Sequence, residues 1–146
     1  MARPAQRLGR VVAHIPAGVH VLGWMSAAEV GVRFVSLARL ADAFGVPLHT
    51  EEAESSEPAA PFVLSPAMRR RLRVIDALGA RWRFSAGPCL RQALVAGHVL
   101  RRHGPHLVIG AALHEGDVIG HAWIEVGGLT FGYSPHYGPL QEGRRA

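Results

Sequence analysis

The sequence predicts an α+β domain in which helices come first and an antiparallel sheet follows. Three observations carry that reading. Apolar residues recur at helical spacing in three stretches before Gly104. Beyond Gly104-Pro105 the chain turns β-prone, with apolar runs short enough for strands. Those runs are separated by tight-turn signals, which suit antiparallel neighbours rather than crossovers.

The elements follow in order. Ser26-Ala27-Ala28-Glu29 has the form of a capping box, so a first helix is expected to start there. Val30, Phe34, Leu37, Leu40, Ala41 and Phe44 give it an apolar face, and Gly45 followed by Pro47 closes it. Residues 48–61 are acidic and rich in Ser, Ala and Pro, which reads as a surface loop. Ser65-Pro66 opens a second helix, with Met68, Leu72, Ile75 and Leu78 as its inner stripe and Gly79 as its expected C-terminal cap. Arg69, Arg70, Arg71 and Arg73 crowd its other faces and read as a solvated surface. Gly87-Pro88-Cys89 begins a third helix that runs to about His103. Strands are expected over 106–114, 118–126 and 129–133, with Glu115-Gly116-Asp117 and Gly127-Gly128 as the turns. Residues 1–64 thus form an N-terminal helical region with the acidic loop, and 65–146 a core of helices and sheet, together one compact domain.

Composition narrows the function classes. The chain has 146 residues, 49% hydrophobic and 18% charged, enough for one core and unlike a disordered chain. A single Cys excludes a disulfide framework and any multi-cysteine metal cluster, and suits a reducing compartment. All 16 basic residues are Arg, and the formal net charge is +5. An Arg-rich chain invites a nucleic-acid reading, but no helix-turn-helix or aromatic-stacking motif accompanies the charge, so no nucleic-acid partner is expected. The apolar run over 11–28 is interrupted by His14, Pro16 and His20. No membrane span is therefore expected, and a cytoplasmic location fits better than a signal peptide. His98, His103, His106 and His114 form no ligand motif with a carboxylate or second Cys, and read as surface or helix-end residues. No metal or cofactor is expected.

Two residues can carry chemistry. Cys89 sits at a helix start, where unpaired N–H groups and the helix dipole favour a thiolate and can hold an oxyanion. His121 lies in the expected second strand, where alternation puts it on one face with Ile119, Trp123 and Glu125. A Cys on a helix tip facing a His on the packed sheet is the arrangement of papain-like and transglutaminase-like enzymes, where imidazole takes the thiol proton.

The wording of the sequence carries a narrower resemblance. Pro88-Cys89-Leu90-Arg91-Gln92-Ala93-Leu94 continues to Val99-Leu100-Arg101-Arg102-His103-Gly104. Leu107-Val108-Ile109-Gly110 follows, then His121-Ala122-Trp123-Ile124-Glu125-Val126. This ordered set resembles the transglutaminase-like leader peptidase of lasso peptide biosynthesis, the protease part of the B protein, and the match is strongest over 82–126.

The resemblance implies a transglutaminase-like or papain-like cysteine protease core that removes the leader from a ribosomally made precursor. Cys89 corresponds to the nucleophile and His121 to the general base. It implies three partners: the precursor peptide, a separate leader-binding protein (the split form of the family), and a lasso cyclase similar to asparagine synthetase. Trp82 corresponds to an upstream Trp whose indole N–H can serve the oxyanion, while Trp123 reads as a core aromatic beside the cleft. The family commonly places an orienting Asp eleven or twelve residues after the His, where this chain has Gly132 and Tyr133. Glu125 and Asp117 stand four residues from His121 along a strand, roughly 13 Å away and out of reach. That leaves Tyr133, Ser134, a backbone carbonyl or a water to orient the ring. The alternative to a peptidase is a weak or inactive member that binds the precursor and presents it to the cyclase.

Overall fold

A computed structural model describes residues 4–49, 63–84, 88–114 and 117–132. Within them lie four α-helices followed by three strands: α1 (Pro4–Phe34), α2 (Leu37–Phe44), α3 (Pro66–Gly79), α4 (Cys89–Leu100), β1 (His106–His114), β2 (Asp117–Val126) and β3 (Leu129–Phe131). A short 3-10 turn, Arg101–His103, follows α4. The strands form one antiparallel sheet in the order β1-β2-β3. The α+β architecture read from the sequence is the observed one.

The N-terminal region differs from expectation. Ser26 does not start a helix, because α1 runs unbroken through it from Pro4 to Phe34, with Pro16 inside. The break falls at Ser36, whose extended backbone (φ −62°, ψ 146°) caps α2 without a side-chain hydrogen bond. Glu29 is not a capping residue: its carboxylate is buried and ion-paired to Arg91. The end of α2 is as read, with Gly45 left-handed at φ 71° and its N–H returned to Ala41 and Asp42. Residues Pro47 to His49 then pair with β1, as Leu107 N donates to Pro47 O at 2.9 Å and His49 N to Leu107 O at 2.8 Å. Leu48 is therefore the start of a parallel bridge rather than of a loop. The rest of the acidic segment lies outside the described residues.

Helix α3 begins as its sequence dictates. The Ser65 hydroxyl accepts from Met68 N at 3.2 Å, and Pro66 takes the first helical position. Its end is a correction. Gly79 is the last helical residue, not a left-handed cap, and it is buried because Gln92 of α4 lies where a Cβ would stand.

Helix α4 is the centre of the molecule. Every residue from Ala93 to Leu100 is buried. Val21, Met25 and Ala28 of α1, Phe44 of α2, Ile75 of α3 and Ile124 of β2 join the same core. Burial of such side chains is the main favourable term in folding. Gly97 lets this helix approach its neighbours closely: an added Cβ there would lie 2.5 Å from Val46 Cγ2 and 3.1 Å from Ile124 Cδ1. In the sheet, β2 pairs with β1 along its full length, putting Gly110 opposite His121 and Ile109 opposite Ala122. A two-glycine turn with both φ positive, Gly127 at 54° and Gly128 at 75°, reverses the chain into β3.

His98 lies in the last turn of α4, at a helix end as its sequence context suggests, but it is buried rather than at the surface. Its Nδ1 lies 3.1 Å from Phe44 O, and its Nε2 lies 3.1 Å from Arg101 Nη1. A carbonyl only accepts and a guanidinium only donates, so Nδ1 carries the proton and the ring is neutral. Trp24 lies against it with ring centroids 3.7 Å apart. Burial holds the His98 pKa below the ordinary value, the Phe44 carbonyl opposes that shift, and the Arg101 charge adds to it.

Two outcomes follow from this packing. Gly97→Ala forces Val46 and Ile124 apart and is expected to cost about 1–3 kcal/mol in urea unfolding, as over-packing of a dense core does. For His98 the folded ring resists a proton that the unfolded chain accepts near pH 6.5. Stability is therefore fully present above that pH and falls as pH drops toward the lowered folded-state pKa. His98→Gln, whose amide can serve both partners, is expected to flatten that fall; equal slopes for both proteins would refute the assignment.

Candidate active site

Cys89 is the first residue of α4, entered through Pro88, and its side chain is half-buried. Pro88 accepts the hydrogen bond from Gln92 N at 2.9 Å, which closes the first turn directly behind the cysteine. The first N–H groups of a helix have no intrahelical acceptor, so partial positive charge gathers where Cys89 sits.

That turn is anchored by a buried ion pair. Arg91, two residues past the cysteine, pairs through Nε with Glu29 Oε2 of α1. Glu29 also accepts from Arg33 Nη2 at 2.9 Å and from Trp82 Nε1 at 3.1 Å. Burial works against the Glu29 carboxylate, but the hydrogen bonds from Trp82, Arg91 and Arg33 outweigh it and hold the group below its ordinary range. One carboxylate thus ties α1, the chain leaving α3 and the start of α4 together.

His121 stands on β2, half-buried. Its Nε2 lies 2.7 Å from the carbonyl oxygen of Gly132, just past β3. The carbonyl can only accept, so the proton is on Nε2 and Nδ1 is the basic nitrogen of the neutral ring. Gly132 has φ 80°, a left-handed conformation that glycine adopts without strain. The His121 ring stacks on Trp123 with centroids 6.0 Å apart and planes at 25°. Trp123 is buried and donates its indole N–H to Glu125 Oε1 at 3.0 Å. His121, Trp123 and Glu125 therefore form a ladder on one face of the strand, as alternation predicts.

Cys89 and His121 line a common cleft of ≈ 100 Å³. Ala93 and Ala96 of α4 form its floor, Leu72, Ile75 and Asp76 of α3 one wall, and Ala122, Phe131 and Gly132 of the sheet the other. Small side chains on α4 leave the room, and the apolar walls keep the polar groups few.

The remaining residues singled out in the sequence divide. Trp123 supports the ring of His121 from the sheet. Trp82 does not line the cleft, and its indole N–H is engaged by Glu29 instead of facing an oxyanion position. Tyr133 and Ser134 lie outside the described residues. Sequence reasoning missed Asp76, on a helix read by its apolar stripe and its arginines, and Gln92; both line the cleft. It also missed Gly132 as the particular backbone acceptor, although its position eleven residues past His121 was the signal.

Among the described residues, no group of three or more His, Cys, Asp or Glu side chains is arranged to hold a metal ion. Among them, too, no helix is long and apolar enough to cross a membrane. No curated protein and no solved structure matches the chain significantly. The sequence profile of the transglutaminase-like superfamily matches residues 28–140, which span α2 to β3 and every residue of the cleft. On that match, the chain belongs to the transglutaminase-like superfamily.

Proposed function

We propose that this protein is a cysteine peptidase that removes the leader from a ribosomally made lasso peptide precursor, with Cys89 as nucleophile and His121 as general base. The superfamily includes cysteine peptidases. The observation that carries the reading is the shared cleft, in which a helix-tip thiol and an imidazole with a defined tautomer meet. The ordered motifs around Cys89 and His121 supply the narrower substrate class.

In this reading Nδ1 of His121 takes the Cys89 proton, and the thiolate attacks the scissile carbonyl carbon. The oxyanion is held by N–H groups of the first turn of α4. The imidazolium returns its proton to the leaving amine, leaving a thioester. Water, activated by the same nitrogen, then releases the leader carboxylate and the thiol. The role of the family's Asp falls to the Gly132 carbonyl. It fixes the tautomer as a carboxylate does, but brings no full negative charge to steady the imidazolium, so turnover is expected to be low. The proposed partners are the precursor, a separate leader-binding protein and an asparagine synthetase-like cyclase, in the cytoplasm.

The neutral third group also favours a second reading, a member of the same complex that binds the precursor without cutting it. Alkylation separates the two. A peptidase requires fast labelling of Cys89 by iodoacetamide at neutral pH, slowed by His121→Ala; equal rates would support the presenting role.

Two outcomes test the peptidase. Cys89→Ser and His121→Ala are each expected to lower precursor cleavage by at least about a thousandfold, with unchanged circular dichroism, in assays that include the leader-binding protein. Gly132→Ala places a Cβ on a left-handed residue, at a cost of about 1–2 kcal/mol, and turns the carbonyl away from His121. It is expected to lower kcat more than thermal stability, and an unaltered kcat would remove the carbonyl from the catalytic group.

A further inference from the structure

Asp76 stands in the α3 wall of the cleft that holds Cys89 and His121. Asp76 is itself exposed to solvent, and it shares the lining with apolar Leu72, Ile75, Ala93 and Ala96 and with polar Gln92. Among the described residues its carboxylate receives no hydrogen bond and no ion pair. The chain has 16 arginines, four of them on the same helix, yet none of the described ones pairs with it. Burial alone pushes the Asp76 carboxyl above its ordinary range, with no cation or donor to offset it. Asp76 keeps part of its solvent contact, and a positive charge brought into the cleft offsets the part it has lost.

The geometry points to Asp76 as a specificity-determining residue, which takes an ammonium or guanidinium side chain of the peptide being cut. The inference rests on the peptidase reading for its substrate. In an endopeptidase reaction the backbone nitrogens beside the scissile bond are amides, so the cation that reaches this wall is a side chain. The new amino terminus appears only after the bond breaks. Asp76 is not the carboxylate that orients the imidazole, since the His121 Nε2 proton is already held by Gly132.

The test uses the one thiol of the chain as a local probe of charge. Three methanethiosulfonates are compared on the intact protein: trimethylammonioethyl, sulfonatoethyl and methyl. With each, the Cys89 thiolate attacks the sulfenyl sulfur, a mixed disulfide forms and methanesulfinate leaves, so only the charge of the reagent differs. The cationic reagent is expected to react faster than the anionic one, relative to their rates with a free thiol, by about tenfold, the scale of one nearby unit charge. Asp76→Asn is expected to remove most of that preference while leaving the rate with the neutral reagent unchanged. Asp76→Glu is expected to keep the preference, and Asp42→Asn, on α2 and away from the cleft, to leave it alone. High salt is expected to weaken it.

A ratio that Asp76→Asn does not change overturns the proposal. So does an equal fall with all three reagents, which would mean that Asp76 tunes the thiol rather than selecting charge. Failure of the peptidase reading looks different: His121→Ala would leave the neutral reagent's rate unchanged, whatever the charge ratio shows.

Discussion

The site depends on the ion pair between Glu29 and Arg91. Arg91 belongs to the first turn of the cysteine helix, and Glu29 belongs to a helix far away in sequence. Two buried charges are costly to desolvate, and a pair of apolar side chains could fill the same space with less loss. What the charges supply is position. A guanidinium and a carboxylate satisfy one another only in a narrow set of geometries, and here Arg33 and Trp82 also donate to the same carboxylate. The start of α4 is thereby fixed in rotation and depth against α1. With α4 fixed, Gly97 seats it against Val46 and Ile124, and the sheet that carries His121 comes to a set distance.

The sequence was most readable where local rules and the final fold agree. Ser65-Pro66 starts α3 because hydroxyl and imide ring act within one turn, and Gly127-Gly128 turns the hairpin because only local φ values matter there. The strand limits were read to within a few residues, and both Cys89 and His121 were named. Misreadings share a cause. Glu29 looks like a capping residue, Gly79 like a cap, His98 like a surface histidine and Trp82 like an oxyanion donor. In each case a partner more than ten residues away decides the role: Arg91, Gln92, Phe44 and Glu29. Helix α1 before Ser26 was not read at all. Pro16 and scattered histidines obscure its period, although Ala17, Val21, Met25 and Ala28 recur at helical spacing and are buried together.

In the proposed peptidase a carbonyl stands where the family it resembles places a carboxylate, and this changes the balance of the site. The imidazole keeps its orientation, through a 2.7 Å contact that also pins the end of β3. The stabilisation that a full negative charge gives to the imidazolium is reduced, because a carbonyl offers only a dipole. In the proposed mechanism the aromatic face of Trp123 is what remains to face the imidazolium, while the helix-tip field at Cys89 acts on the thiolate instead. This division leaves the cleft with little fixed charge beyond Asp76, so what arrives in it matters more than in a site built around a carboxylate triad.

The contacts that tie the cysteine helix in place also set when it can be assembled. Trp82 reaches Glu29 across 53 residues, and Arg91 reaches it across 62. The strands, by contrast, pair across short turns. Closing long loops costs chain entropy before any contact is gained, so distant pairings form slowly and local ones first. A nascent chain therefore makes its hairpins and helices early and encloses its thiol late. Until that closure the protein holds its secondary structure without the cleft that Cys89 and His121 share.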